Sequence, residues 1–396
     1  MGERVFMESS PRPARENSFT FLRMALALVV VSGHSYVLGG FDGDPISLRT
    51  GQGMAVHEMA LQCFFMLSGY LLTRSLTSQP LLGRFAVRRC FRILPGYWVS
   101  LLVTGLIFAP AMFSYSYPDG FRISPSVVME KVDALGYMGW NAIFWSSHVA
   151  IPPLFYSNPI KGSINGSLWS IFYEVLCYIV LGLAAAFGVL RRRNLVFGIF
   201  AVLFLPTLIH AVFPISLPPP IAVWHRILIV AFHPAGPNVA LPFAAGVVAH
   251  FLVGRWPGWN ARIFSIVLVG FAASMPLGAG RVFCPLALPY LLLSLAERLP
   301  FRNWERFGDY SYGTYIYAFV IQQCLVVMGI PQHGIGIYLA SSLVLSTAAG
   351  ALSWYLIERP AIWVGDRLLA KSGSQNSSNP RAFANDATPA TPVHAG

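Results

Sequence analysis

The chain has 396 residues, 55% of them hydrophobic and only 11% Asp, Glu, Lys or Arg, against about 25% charged in an ordinary soluble domain. Those proportions exclude a water-soluble single domain. The formal net charge is +11 and 24 of the 27 cations are arginine, but charges this sparse make a poor nucleic-acid footprint. A membrane protein with arginines in its cytoplasmic loops accounts for both numbers.

In chain order, residues 1–17 are polar, without the apolar stretch and cleavage site of a signal peptide, and read as a cytoplasmic segment. Apolar segments long enough to span a ~30 Å bilayer, or nearly so, follow at about 19–38, 55–73, 93–113, 167–188, 195–213, 238–253, 263–277, 282–296, 310–330 and 336–357. The stretch 221–232, ahead of Pro234 and Pro237, reads as interfacial or broken. The expected fold is therefore all-α and polytopic, with about ten transmembrane helices. Placing the N-terminus inside puts 21 cations on the cytoplasmic side and 6 outside, so both termini are expected in the cytoplasm. The membrane unit is expected over 18–365. Residues 366–396, rich in Ser, Asn, Pro, Ala and Thr after Ser372, read as a disordered cytoplasmic tail. The five cysteines have no metal-ligand spacing and read as buried thiols.

Ionisable groups at membrane depth are expensive, so each is a functional candidate. Arg23 and His34 lie eleven residues apart in the first segment. Eleven steps of 100° return to the same helix face, with an axial separation of ~16 Å. Glu174 follows Ser167 by seven residues in an oppositely directed helix, which places it roughly 10 Å below that helix's start. His34 and Glu174 are thus expected to meet at similar depth. Arg89 and Arg92, three apart, share a face at the inner surface, where guanidinium groups suit phosphate geometry, although juxtamembrane arginines also serve topology and lipid headgroups.

Taken together and in order, several segments resemble the acyltransferase 3 family of integral membrane acyltransferases. An Arg or Lys separated from a His by ten residues falls on Arg23 and His34. The family's FFxLSGF block is similar to Phe64–Tyr70, RxxRIxPxY to Arg89–Tyr97, LWSLxxE to Leu168–Glu174, and the late SYxxYL and ERP blocks to Ser311–Ile316 and Glu358–Pro360. Where many members carry a His after the late tyrosine motif, this chain has Ala318, so that histidine's role does not transfer.

The resemblance implies transfer of an acetyl group from acetyl-CoA, without a metal, to a hydroxyl of a carbohydrate or glycolipid acceptor. Exopolysaccharide, O-antigen, nodulation-factor glycans and macrolide sugars are the acceptor classes of relatives, and a bacterial inner membrane the expected location. A sugar hydroxyl is a weak nucleophile and needs a positioned base. His34 is expected to be that base and Glu174 to orient it. Arg23, Arg89 and Arg92 are expected to bind the CoA phosphates. Ser68 as a covalent nucleophile is disfavoured, because no GxSxG elbow surrounds it. A polysaccharide or lipid transporter and a non-catalytic membrane scaffold are the rival classes.

Overall fold

The computed structural model describes residues 18–50, 54–116, 133–144, 150–213 and 235–377. The expected N-terminal segment 1–17 and the interfacial stretch 221–232 lie outside the described residues, as does 378–396 of the expected tail.

Among the described residues the structure is helical, with one isolated bridge between Ala150 and Ser163. Helix α1 is Phe19–Leu38. The short α2, Pro45–Arg49, starts with proline at its first position and is capped by Asp44, whose Oδ1 accepts from Ile46 N at 3.1 Å and Ser47 N at 2.9 Å. Helix α3 is Val56–Ser78. Helix α4 begins as Leu82–Val103, widens through a π-turn at Thr104–Phe108 and ends as Ala109–Ser116. Then come α5 (Ala134–Ala142), α6 (Leu168–Ala186), α7 (Arg193–Val212), α8 (Ala235–Leu252), α9 (Ala261–Ser274), α10 (Gly280–Arg298) and α11 (Ser311–Val327). Helix α12 runs from Ile335–Ser353 through a second π-turn, Trp354–Glu358, into Arg359–Ser377.

Both π-turns precede a proline by two residues, Pro110 and Pro360. A proline ring collides with the carbonyl four residues back. Here those carbonyls belong to Leu106 and Leu356, inside the widened turns, so each helix passes its proline without ending. This carries α12 to Ser377, so residues 366–377 are helical where the composition reads as tail. Helix α4 likewise starts eleven residues before the apolar segment at 93, because its arginines are helical and not in a loop.

Among the described residues, seven helices are long and apolar enough to cross a bilayer: Phe19–Leu38, Leu82–Ser116, Leu168–Ala186, Arg193–Val212, Asn238–Arg255, Gly280–Arg298 and Ile335–Lys371. Helix α7 is peripheral. Of its side chains only Val196 is buried, and Val202, Leu205 and Val212 face outward, as suits hydrocarbon surroundings. Helix α11 is central, with every residue from Ser311 to Leu325 buried. Cys63, Cys177, Cys284 and Cys324 are buried as expected, but Cys90 is exposed, on the outward face of α4.

Helices α3 and α8 approach until backbone meets backbone. A Cβ at Gly69 would lie 2.0 Å from the Phe243 carbonyl oxygen, and one at Gly246 2.0 Å from that of Met66. Small residues at such crossings replace the hydrophobic drive that lipid removes.

One end of the bundle is held by charge. Asp309 Oδ2 accepts from Arg92 Nη2 at 2.6 Å and from Arg23 Nη1 at 2.8 Å. Arg92 Nη1 reaches Glu358 Oε2 at 3.3 Å, and Glu358 Oε1 accepts from the Ser353 hydroxyl at 2.9 Å. Glu358 is fully buried, and the Arg92 guanidinium also lies 5.4 Å from the Trp354 ring. Gly96 and Gly313 let α4 and α11 close on this carboxylate, since a Cβ there would come within 3.4 and 3.0 Å of the Glu358 side chain. Burial alone would raise the Asp309 carboxyl, but the Arg23 and Arg92 guanidiniums outweigh it and hold the group below its ordinary value.

Two outcomes follow. Gly69→Ala or Gly246→Ala destabilises the detergent-purified protein by about 1–3 kcal/mol, the usual overpacking cost. Gly198→Ala, where a Cβ meets nothing within 4 Å, does not lower the unfolding midpoint, because alanine is favoured over glycine in a helix interior. Arg92→Met strands the buried Glu358 and costs about 3–5 kcal/mol, read as a lowered thermal midpoint that Arg92→Met combined with Glu358→Gln partly restores.

Candidate functional site

Arg23 and His34 project from one face of α1 into the bundle, as their spacing requires. Arg23 is held by Asp309 at 2.8 Å. Toward the other end of α1, the His34 ring stacks on His57 of α3, with centroids 4.4 Å apart and planes at 29°. The Phe319 ring of α11 meets His34 edge-on at 5.9 Å. Gly33 makes the stack possible, because a Cβ there would lie 2.8 Å from the His57 backbone nitrogen.

Both histidines line a cavity of about 340 Å³ with Glu58, Gln62, Ser167, Trp169, Asn238 and Tyr315. Its walls mix hydrogen-bonding groups with an aromatic face, and its size falls within the ~300–1,000 Å³ of small-molecule sites.

Buried amides hold the wall formed by the segment before α6. Asn158 Nδ2 donates to Gln323 Oε1 at 2.7 Å, and Gln323 Nε2 donates to the carbonyls of Ile160 (2.9 Å) and Ser163 (2.6 Å). Asn165 Nδ2 donates to the Ile316 carbonyl at 3.0 Å, while its Oδ1 accepts from Ser167 N at 3.1 Å. Gln322 Nε2 donates to the Val31 carbonyl and the Ser35 hydroxyl, both at 2.8 Å, fixing α11 to α1 on either side of His34. Gly166 passes over Phe319, where a Cβ would meet the ring at 2.6 Å. One atom of this network, Gln322 Oε1, is buried without a hydrogen-bond partner.

Below this cavity lie two narrow chambers. One, of about 40 Å³, shares Leu61 and Tyr315 with the histidine cavity and is also lined by Arg23, Ser68, Glu174 and Tyr312. The next, of about 50 Å³, shares those last four residues and extends to Arg89 and Arg92. Each has room for little more than a water or two. Arg89 also floors an apolar groove of about 290 Å³ between α4 and α6, lined by Phe85, Cys90, Leu94, Ile179 and Leu183 among others. Its Nε is buried without a hydrogen-bond partner.

The structure therefore gathers Arg23, Glu174, Arg89 and Arg92 around connected space and sets His34 above them. It does not bring Glu174 to His34. Ser167, at the head of α6, itself lines the histidine cavity, so two further turns carry Glu174 down to the arginines, where its Oε1 accepts from the Tyr178 hydroxyl. Arg92 differs from Arg89 in being committed to Asp309 and Glu358. Residues that the spacing did not single out are His57, Asp309, Gln322 and Gln323. The only signal for His57 was an ionisable group in the first turn of an apolar segment. Among the described residues no group of three His, Cys, Asp or Glu could hold a metal ion.

A family model described as an acyltransferase domain matches residues 16–357. An O-acetyl transferase of Shigella phage Sf6 is 27% identical over 357 residues, covering 87% of this chain and 96% of that protein. Nodulation protein 10 of Rhizobium leguminosarum bv. viciae is 25% identical over 385 residues, covering 90% of this chain and 95% of its own length. No solved structure matches. With its apolar helices and a match across most of its length, the chain belongs to the acyltransferase 3 family and is an integral membrane acyltransferase.

Proposed function

We propose that the protein transfers an acetyl group from acetyl-CoA to a hydroxyl of a carbohydrate, of the exopolysaccharide, O-antigen or nodulation-factor type, in a bacterial inner membrane. The observation that carries this reading is His34 on the wall of a polar and aromatic cavity that adjoins arginine-lined space through shared residues. The ten-helix arrangement with both termini in the cytoplasm belongs to the same proposal. It is supported by Arg23, Arg89 and Arg92 sharing one end of the bundle, opposite in α1 to His34.

In this reading the CoA phosphates sit at Arg89 and Arg23 on the cytoplasmic side. The unpartnered Arg89 Nε supplies a donor for them. The pantetheine arm rises toward His34 through the two narrow chambers, which widen by movement of the Tyr312 and Tyr315 rings. The ~16 Å axial distance from Arg23 to His34 is within reach of an extended arm. The acceptor sugar lies in the histidine cavity, its apolar face on Trp169 and its hydroxyls toward Glu58, Gln62 and Asn238. The acceptor oxygen attacks the thioester carbonyl as His34 takes its proton, and the departing thiolate receives that proton back. Glu174 acts through the arginines, balancing their charge until phosphates arrive. Arg92 braces the fold.

Membranes carrying the protein, supplied with labelled acetyl-CoA and candidate glycans, test this directly. Wild type labels a glycan, and His34→Ala lowers the rate by roughly 10²–10⁴-fold, the usual contribution of a general base. Equal labelling by both proteins refutes the base. In the same assay Arg89→Gln raises KM for acetyl-CoA roughly tenfold or more, the scale of one charge-assisted hydrogen bond, without changing KM for the glycan. An unchanged acetyl-CoA KM removes Arg89 from the donor site.

A further inference from the structure

Accepting His34 as the base leaves the other half of the chemistry without an assigned group. Attack on a thioester carbonyl moves an electron pair onto the carbonyl oxygen. In a site shielded from water that oxygen needs a preorganised donor. None of Arg23, Arg89 and Arg92, which line the lower chambers, lines the cavity of His34, and in the proposed function Glu58, Gln62 and Asn238 face the acceptor hydroxyls.

His57 is placed to donate. Its ring lies against that of His34, with centroids 4.4 Å apart, and lines the same cavity. Its Nδ1 is buried with no hydrogen-bond partner and packs toward the α1 backbone, 3.2 Å from where a Gly33 Cβ would stand. An N–H buried without an acceptor costs more than a bare lone pair in the same place can lose. The neutral ring therefore carries its proton on Nε2. Two stacked imidazoles then face one cavity.

We propose that His57 is a second catalytic residue, an oxyanion donor whose Nε2–H hydrogen-bonds to the thioester carbonyl oxygen as negative charge develops there. The acceptor oxygen forms its bond to the carbonyl carbon, its proton passes to His34, and the carbonyl π pair moves to oxygen under the His57 N–H. Collapse of the tetrahedral intermediate restores the C=O bond and breaks the C–S bond. The thiolate takes the proton from His34, and His57 ends the cycle unchanged. The stack gives His57 its orientation and Gly33 gives the stack its distance.

The test uses the full-length protein with labelled acetyl-CoA and a glycan that the wild type acetylates. His57→Phe keeps a flat ring against His34 and removes the N–H. Its kcat is expected to fall about 10²–10³-fold, the scale of one oxyanion donor, with both KM values within about threefold of wild type. His57→Gln restores a donor without the ring and is expected to recover part of that loss at an unchanged thermal midpoint. Wild-type kcat in His57→Phe overturns the proposal by showing that the ring only packs. So does a loss in His57→Phe that His57→Gln does not relieve and that follows the folded fraction. Full activity in His34→Ala overturns the His34 reading itself, and the donor role with it. Loss in His34→Ala with full activity in His57→Phe removes the donor role alone.

Discussion

A charge taken into a membrane-embedded bundle must meet its opposite, and the chain Arg23–Asp309–Arg92–Glu358 is where this protein satisfies that requirement. It joins α1, α4, the entrance to α11 and the π-turn of α12, four elements brought together from across the sequence. Two guanidiniums face two carboxyl groups within a chain that is otherwise strongly basic. With its lower end pinned in this way, α1 works as a rigid spacer. The 3.6-residue period then sets His34 on the same face, one fixed distance away.

The upper half is held by different forces. Around His34 the ties are buried amides: Gln322 to the α1 backbone and Ser35, Gln323 and Asn158 to each other, Asn165 to α11. Charge is concentrated where an anionic donor would enter. Between the two regions lie chambers of only about 40 and 50 Å³. The unliganded protein thus keeps its two ends apart, as a protein that must not leak across a membrane requires.

Much of this was legible in the sequence wherever the physics is local. The Arg23–His34 register depends only on helix geometry, and both side chains face inward as the spacing implies. The helical class and each of the apolar segments are present as helices. What failed is what needs depth or distant partners. Glu174 was placed correctly along its own helix, but the depth at which that helix begins is set by Asn165 and Gly166 packing on α11, which no periodicity reports. Arg92 reads as a phosphate ligand until Asp309 and Glu358, 217 and 266 residues away, are seen to occupy it. The apolar run of the third segment begins only at 93, yet the helix starts at Leu82, because long cationic side chains such as Arg89 and Arg92 sit readily on a helix near a membrane surface. His57 carried no motif at all. Its significance comes from Gly33, on another helix, which allows the two backbones to touch.

The account therefore rests on one spatial claim, that donor and acceptor meet beside the two histidines while the donor's phosphates remain at the arginine end. The most direct measurement is a structure of the protein bound to a non-transferable thioether analogue of acetyl-CoA. The account predicts the acyl end in the cavity of His34 and His57, phosphates against Arg89 and Arg23, and displaced Tyr312 and Tyr315 rings. An analogue whose acyl end stops at Ser68, or lies in the apolar groove between α4 and α6, would contradict it.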